Sequence, residues 1–259
     1  PDGLQGAVLG RITRARGIER AAVMAINNDY GRGLADAFSA SFQAAGGTVT
    51  ASQNFEENRP SYRAELQTLA GRGNPQALVL IAYPASGGTT ILRNAVENGF
   101  FSRFVLTDGM RDQAVVQAVG AQALRGTFGT APGTAAAPEQ RRRYEEAFRR
   151  ANPTLDPAGA FVAQSYDAAY VAALAIQKAG QAEKAAIRAA LRGVSAPPGE
   201  VVGPGDWAKA RQILAGGGEV NYEGASGPID FNATGDARGR IEVWDIADGR
   251  INTVENLSE

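Results

Sequence analysis

Short apolar runs alternate with helical patterns between residues 20 and 132. In the helical segments, apolar residues recur every three or four positions, around Phe38, Leu66, Ile91 and Val116. The segment ALVLIAY is apolar throughout, as expected for a strand that is covered on both faces. Strands separated by helices predict right-handed crossovers, and therefore an α/β fold with a doubly wound, mostly parallel sheet. The predicted strands are 21–26, 49–55, 77–83, 103–109 and 126–132.

The pattern changes after Pro132. Charged and alanine-rich helices are predicted there, and a glycine-rich segment follows that reads as loop, strand and turn. No strand–helix repeat occurs between residues 133 and 220. We therefore expect these helices to depend on a sheet that this part of the sequence does not supply. The predicted helices are 138–151, 160–179, 184–191 and 207–215.

The amino-acid composition excludes several classes of function for this chain. The 259 residues carry a formal net charge of −1 and include neither histidine nor cysteine. Ser-His-Asp and Cys-His catalysis, a histidine base and thiolate-bound metals are therefore excluded. The arginines at 141–143 and 149–150 are interleaved with glutamates, which predicts a solvated helix face and no nucleic-acid partner. No apolar stretch approaches the roughly 20 residues of a membrane-spanning helix, so direct membrane insertion is not expected.

Polar and aromatic residues follow three of the predicted strands, at the edge where an open parallel sheet binds its ligands. Asn28 and Ser86 are candidate ligand contacts, and helix capping is the alternative interpretation for both. Tyr30 and Tyr83 are stronger candidates, because a tyrosine ring does not cap a helix. The segments are NNDY (27–30), YPAS (83–86) and TDG (107–109).

The glycines of GRGLAD (31–36) begin like the dinucleotide-binding loop GxGxxG. The third glycine position is Asp36, whose side chain opposes both close helix packing and a pyrophosphate. The sequence also has no GxxxxGK[ST] phosphate loop and no GxSxG nucleophile turn. We therefore expect no cofactor, no metal and no catalytic residue. The sequence offers groups that bind a ligand without groups that transform it.

Five segments in a fixed order resemble one family. They are similar to the branched-chain amino-acid type of ABC-transporter substrate-binding proteins, the Leu/Ile/Val-binding periplasmic proteins. The likeness runs from DGLQG (2–6) to about Arg250. It implies the type I fold of periplasmic binding proteins, with two doubly wound lobes that are joined by crossing segments. The segments are AINNDYGRGLADAF, IAYPASGGTTILRNAVENGF, RFVLTDG, QSYDAAYVAALAI and NYEGASGPIDFNATGD with IEVWDIADGR.

The resemblance also implies how the chain is divided. Residues 17–130 with 239–259 are expected to form the complete second lobe. Residues 1–16 with 131–238 are expected to form the hinge crossings and the returning part of the first lobe. The family has a strand–helix lobe segment before DGLQG that this sequence lacks, so we expect a fragment. The chain starts at Pro1 and shows no signal segment, so targeting cannot be read from it.

Positions that match the family imply roles for single residues. Tyr30 and Tyr83 match ligand contacts of the second lobe. Asp108 stands where amino-acid binders place a carboxylate against the α-ammonium of the ligand, and a helix N-cap is its alternative role. Tyr166 either reaches the ligand or belongs to the core at helical spacing.

The implied function is transport without catalysis. An extracytoplasmic solute-binding protein binds an amino acid of the branched-chain type, or a similar small polar ligand, in an interlobe cleft by hinge closure. Its partner is an ABC permease in the membrane, and its location is periplasmic or lipid-anchored. Two alternatives stay open: a ligand-sensing regulator or receptor domain of the same fold, and a binder of aromatic carboxylates. Two tyrosines suit an aromatic ring as well as an aliphatic chain, so the ligand's identity is open.

Overall fold

The chain forms two compact units. The structure is a computed structural model that describes residues 2–237 and 239–258. Unit 1 contains the described residues up to Pro132 together with Ile241–Leu257, and unit 2 contains those of Gly133–Arg240. In the described part of the chain, no helix is long and apolar enough to cross a membrane.

Helices and strands alternate along most of the chain. Every strand predicted between residues 20 and 132 is present, and the ends differ by a few residues. In chain order the elements are α1 (Asp2–Ala15), β1 (Arg20–Ile26), α2 (Asp29–Ala44), β2 (Thr48–Phe55), α3 (Arg63–Ala70), β3 (Ala77–Ile81), α4 (Thr89–Glu97), β4 (Phe104–Leu106), α5 (Gln113–Val119), β5 (Phe128–Pro132), α6 (Pro138–Ala151), α7 (Val162–Ala179), α8 (Lys184–Ala190), β6 (Glu200–Val202), α9 (Trp207–Ala215), β7 (Val220–Tyr222), β8 (Arg240–Ala247) and β9 (Arg250–Ser258).

Unit 1 is built on one sheet, which over the described residues has seven strands in the order β2-β1-β3-β4-β5-β8-β9. Strands β1 to β5 pair in parallel. Strand β8 runs antiparallel to β5, from the pair Phe128–Asp245 to the pair Pro132–Ile241. The sheet is therefore mostly parallel, as the sequence predicts.

Helices cover both faces of the unit 1 sheet. On one face, Met24 and Leu80 pack with apolar side chains of α3, α4 and α5. On the other face, Val23 and Val79 pack with those of α1 and α2. Neighbouring residues of one strand point to opposite faces, so a strand between two helical layers must be apolar throughout. This explains why β3 is buried along its whole length.

Unit 2 has a smaller core of its own. Strands β6 and β7 pair in parallel, and their side chains pack with those of α7, α8 and α9. The sequence predicts that these helices depend on a sheet that this part of the chain does not supply, whereas the structure pairs two short strands within unit 2. Strand β6 lies in a short glycine- and proline-rich segment, where a three-residue strand leaves no periodic pattern to detect.

Helix α1 packs closely against α2 within unit 1. A Cβ atom on Gly6 would lie 2.7 Å from the Cβ atom of Ala37, and one on Gly10 would lie 2.6 Å from the backbone nitrogen of Phe42. The sequence predicts residues 1–16 in the partial first lobe, whereas α1 belongs to unit 1. The correspondence between the two units and the lobes of the family stays a prediction.

We expect Gly10→Ala to destabilise unit 1. The added methyl group overpacks the contact between α1 and α2, which lowers the free energy of unfolding by about 2 kcal/mol. Gly3→Ala is the matched control, because Gly3 lies in the same helix with open space around it. Alanine is the better helix former, so the control should be neutral or slightly stabilising. Urea unfolding measures both, and equal effects at the two positions would contradict the close contact.

Candidate functional site

The predicted site residues of unit 1 meet at one edge of its sheet. Strand β3 pairs with both β1 and β4, so the carboxyl ends of these three strands are neighbours. Tyr30 follows β1, Tyr83 follows β3 and Asp108 follows β4. Strand β1 also lies between β2 and β3, which makes this edge the topological switch point of the sheet. Ligands of open α/β sheets bind at this point.

A hydrogen-bond network surrounds the Asp108 carboxylate, which is only 6% exposed. Its Oδ1 accepts from Nε2 of Gln5 at 2.5 Å and from the hydroxyl of Tyr30 at 2.9 Å. Because the single proton of Tyr30 is given to the carboxylate, the Thr107 hydroxyl donates to Tyr30, with 2.9 Å between the oxygens. Within the described residues, Oδ2 of Asp108 accepts no hydrogen bond from another side chain.

Burial shifts the ionisation of this carboxyl group. Burial raises the pKa of Asp108, the hydrogen bonds from Gln5 and Tyr30 lower it, and the negative charge of Asp2 raises it again, with a net upward shift. Burial and the charge of Asp108 also raise the pKa of Tyr30, so its phenol keeps its proton. The two donors therefore offset part of the effect of burial, which disfavours the charged form of Asp108.

The rim around Asp108 is acidic. Burial first, and then the charges of Asp108, Asp2 and Glu57, raise the pKa of Tyr83. Arg111 is close in sequence but forms an ion pair with a glutamate of β8, with 2.8 Å between Nη2 and Oε1. This edge of the sheet therefore favours a ligand cation over a ligand carboxylate.

Two tyrosines supply an aromatic surface beside the carboxylate. The rings of Tyr30 and Tyr83 are stacked, with their centroids 5.1 Å apart and their planes at 25°. Tyr83 is 37% exposed, so part of its ring is available to a ligand. The turn after Asp108 reaches this pair because Gly109 has no side chain: a Cβ atom there would lie 2.9 Å from the Tyr83 ring.

The polar residues between β1 and α2 mainly begin the helix. The side chain of Asn28 caps α2, since its Oδ1 accepts from the backbone N–H of Gly31 at 2.8 Å. The capping interpretation is therefore the one that the geometry favours for Asn28. Gly31 is required by space, because a Cβ atom there would lie 2.0 Å from the Ile26 carbonyl oxygen, whereas Gly33 has open space around it.

Two further candidate residues have different surroundings. Ser86 lies half-buried in the turn Pro84–Gly88 that follows β3, and only its backbone hydrogen-bonds within the described residues. Tyr166 belongs to α7 in unit 2, where its ring packs against Tyr144 at 5.2 Å and Tyr170 at 5.8 Å. Ligand contact stays a prediction for both residues.

Gln5 lies at this edge of the sheet but is not among the candidate residues that the sequence predicts. It belongs to α1, which the sequence predicts in the partial first lobe, and it hydrogen-bonds to Asp108 across 103 positions of the chain. The paired glycines Gly6 and Gly10 are the signal that could have revealed it. Small residues four positions apart on a helix are typical of close contact with a second helix.

Unit 2 contains a second buried carboxylate, Asp167, which is 1% exposed. Its Oδ1 accepts from the Tyr222 hydroxyl at 2.8 Å and from the backbone N–H of Ala225 at 2.7 Å. Its Oδ2 accepts from the backbone N–H and the hydroxyl of Ser226, at 2.7 and 2.6 Å. Both oxygens are therefore occupied by donors of the protein, and this carboxylate fastens the segment after β7 to α7.

No metal centre is found in the described ranges, 2–237 and 239–258. They contain no group of three or more metal-binding side chains that could hold an ion. The arrangement at the sheet edge instead combines an acidic rim, an aromatic face and a carboxylate with one oxygen that accepts from no other described side chain. Chemically, it can bind an ammonium group that is attached to an apolar body.

Comparisons with known proteins agree with this architecture. Residues 1–249 match the model of the family described as "Receptor family ligand binding region". The chain is 25% identical over 259 residues to a chemotactic signal transduction system substrate-binding protein of Halobacterium salinarum, covering 99% of this chain and 59% of that protein. It is 27% identical over 192 residues to the leucine-, isoleucine-, valine-, threonine- and alanine-binding protein of Pseudomonas aeruginosa, covering 74% and 50%. The chain therefore spans little more than half the length of these relatives.

Solved structures share the fold. A leucine-binding protein of Thermotoga maritima superimposes with a TM-score of 0.77 at 22% identity, covering 99% of this chain and 66% of that one. A solute-binding protein of an ABC transporter from R. palustris, in complex with benzoate, gives a TM-score of 0.74 at 15% identity, covering 99% and 63%. These likenesses confirm the predicted α/β fold class.

Asp108→Asn should raise the stability of the ligand-free protein, and increasingly so as the pH rises. A carboxyl group whose folded pKa is raised holds its proton more tightly in the folded state. The wild type therefore loses stability as the pH rises from the ordinary value of 3.8 through the raised one, and the uncharged variant does not. Urea unfolding of both proteins from pH 3 to pH 7 measures the difference. A wild type that gains stability over the variant with rising pH would contradict this account.

Asp167→Asn should have the opposite effect. The amide nitrogen of asparagine would face donors where Asp167 offers an acceptor, so the unfolding free energy should fall by about 2 kcal/mol. Glu183→Gln is the control, because Glu183 is an exposed side chain of unit 2 that makes no capping hydrogen bond. Unchanged stability of the Asp167 variant in urea unfolding would show that the network is dispensable.

Proposed function

Since the chain belongs to the family described as "Receptor family ligand binding region", we propose that it is the ligand-binding part of a solute-binding protein for amino acids of the branched-chain type. Its fold is that of the branched-chain amino-acid type I periplasmic binding proteins, as the resemblance in the sequence indicates. The ligand lies at the carboxyl edge of the unit 1 sheet, and hinge closure on it, as the family implies, is part of the proposal.

The observation that carries the proposal is the half-satisfied carboxylate of Asp108. One oxygen accepts hydrogen bonds from Gln5 and Tyr30, and the other accepts none from a described side chain. An ammonium group at the second oxygen forms a charge-assisted hydrogen bond in a site from which most water is excluded. The exposed part of the Tyr83 ring contacts the apolar portion of the ligand.

The acidic rim favours an amine over an aromatic acid. A ligand carboxylate placed against Asp108 would meet the charges of Asp2 and Glu57 as well, which act on the same edge. Because the R. palustris neighbour was solved in complex with benzoate, aromatic carboxylates are the second ligand class in this proposal. Such a ligand would have to direct its carboxylate away from Asp108.

The partner in this proposal is an ABC permease, and the location is periplasmic or extracytoplasmic with a lipid anchor. The proposal includes no catalysis, because the relatives are named as binding proteins. The name of the Halobacterium relative supports ligand sensing as the alternative role. Deletion of the gene distinguishes transport from sensing. If the role is transport, uptake of the ligand should be lost. If the role is sensing, only the cellular response to the ligand should be lost.

We expect leucine to raise the melting temperature of the full-length protein. A ligand present at a hundred times its dissociation constant adds about 2.7 kcal/mol of stability, or several degrees for a protein of this size. 4-Methylpentanoate, which has the leucine skeleton without the ammonium group, should give a much smaller shift. A thermal-shift screen of both compounds, with isoleucine, valine and benzoate beside them, measures this.

Two variants make the screen specific. Asp108→Asn should abolish the shift with leucine, because the amide cannot pair with the ammonium group. Asp36→Asn should preserve it, because Asp36 is an exposed carboxylate on α2. Equal shifts with leucine and 4-methylpentanoate, or a leucine shift that survives in the Asp108 variant, would overturn the proposed role of Asp108.

A further inference from the structure

Gln5 occupies an unusual position for a polar side chain of a helix. It is only 2% exposed, and its Nε2 lies between two acceptors: Oδ1 of Asp108 at 2.5 Å and the backbone carbonyl oxygen of Thr130 at 3.2 Å. Both partners only accept hydrogen bonds, so the amide nitrogen must be the atom that faces them. The side chain thus joins α1 to the ends of β4 and β5.

Close helix packing holds Gln5 in this position. Its neighbour Gly6 touches α2 so tightly that a Cβ atom would lie 2.9 Å from the backbone nitrogen of Phe38. One turn later, the position of Gly10 is equally tight. Helix α1 therefore has little freedom to slide or rotate, which holds the backbone of Gln5 at a fixed distance from Asp108.

Gln5 and its surroundings fix the orientation of the Asp108 carboxylate. Gln5 and Tyr30 both donate to Oδ1, so rotation of the carboxylate away from them would break two hydrogen bonds. In the orientation of the carboxylate that keeps both bonds, Oδ2 is the oxygen that has no side-chain donor among the described residues. The hydrogen bond from Gln5 also opposes the effect of burial on the ionisation of Asp108.

We propose that Gln5 is a positioning residue for ligand binding, whose amide fixes the Asp108 carboxylate so that Oδ2 receives the ammonium group of the ligand. The importance of this role for binding rests on the proposed function. The geometric part, that Gln5 sets the orientation of the Asp108 carboxylate and influences its ionisation, does not depend on the identity of the ligand.

The first test needs no ligand. Gln5→Met keeps the size of the side chain and removes the donor, so the pKa of Asp108 should rise above that of the wild type. Carbon-detected NMR titration of the aspartate carboxyl groups measures it. Within the described residues, the titratable groups at this edge are Asp2, Tyr30, Tyr83 and Glu57, and they are the same in every variant.

Thr13→Val is the matched control. Thr13 is fully buried on the same helix and donates to the Leu9 carbonyl oxygen, away from Asp108. Its replacement should leave the titration of Asp108 unchanged. An unchanged Asp108 titration in Gln5→Met would overturn the inference, whether or not any ligand is known.

The second test measures selectivity. In Gln5→Met, the affinity for leucine should fall about tenfold, on the scale of one charge-assisted hydrogen bond, while the affinity for 4-methylpentanoate should stay the same. A merely structural role would lower both affinities in parallel, and that result would overturn the inference. Isothermal titration calorimetry on the full-length protein, with Thr13→Val beside it, gives the ratio.

A second substitution tests the same inference in case Gln5→Met does not fold. Gln5→Glu keeps the shape of the side chain and sets a carboxyl group against Asp108, so one of the two groups should retain its proton well above the ordinary range. Leucine binding should weaken in this variant as well, and undiminished binding would count against the inference. If the wild type binds no amino acid, the proposed function fails, and the NMR titration still decides what Gln5 does.

Discussion

The burial of one carboxylate is the constraint on which the site in unit 1 depends. An ionised carboxylate withdrawn from water is unfavourable unless donors replace the water. Asp108 receives such donors from Gln5 on α1 and Tyr30 on α2, and both reach the same oxygen. In the function proposed for this chain, the other oxygen receives the ammonium group of the ligand. Under that proposal, the unfavourable burial of the charge in the empty site favours a ligand that carries an ammonium group.

Several elements must come close together to satisfy this carboxylate, and glycines make their approach possible. The contact of α1 with α2 depends on Gly6 and Gly10. The first turn of α2 reaches the end of β1 at Gly31, and the turn after β4 reaches Tyr83 at Gly109. Each of these positions has backbone or ring atoms where a Cβ atom would be. The geometry of the polar network therefore depends on the close backbone contacts at these glycines.

The sequence predicts the strands and three of the site residues for one physical reason. Apolar runs mark the strands, and the carboxyl ends of parallel strands converge, so Tyr30, Tyr83 and Asp108 could be grouped without coordinates. Gln5 could not, because its contact with Asp108 spans 103 positions and depends on how α1 packs. Asn28 could not be assigned either, since a cap and a ligand contact use the same residue type at the same place. Local patterns locate the edge of the sheet, and long-range packing decides which groups complete it.

The two buried carboxylates have different roles in the structure. Asp108 and Asp167 are each nearly inaccessible to solvent. Asp167 accepts four hydrogen bonds that occupy both of its oxygens, so a ligand could add nothing to it. Asp108 accepts two from side chains, both on one oxygen. In the described part of the chain, its other oxygen accepts from no other side chain, and the ligand of the proposed function would supply a donor to it.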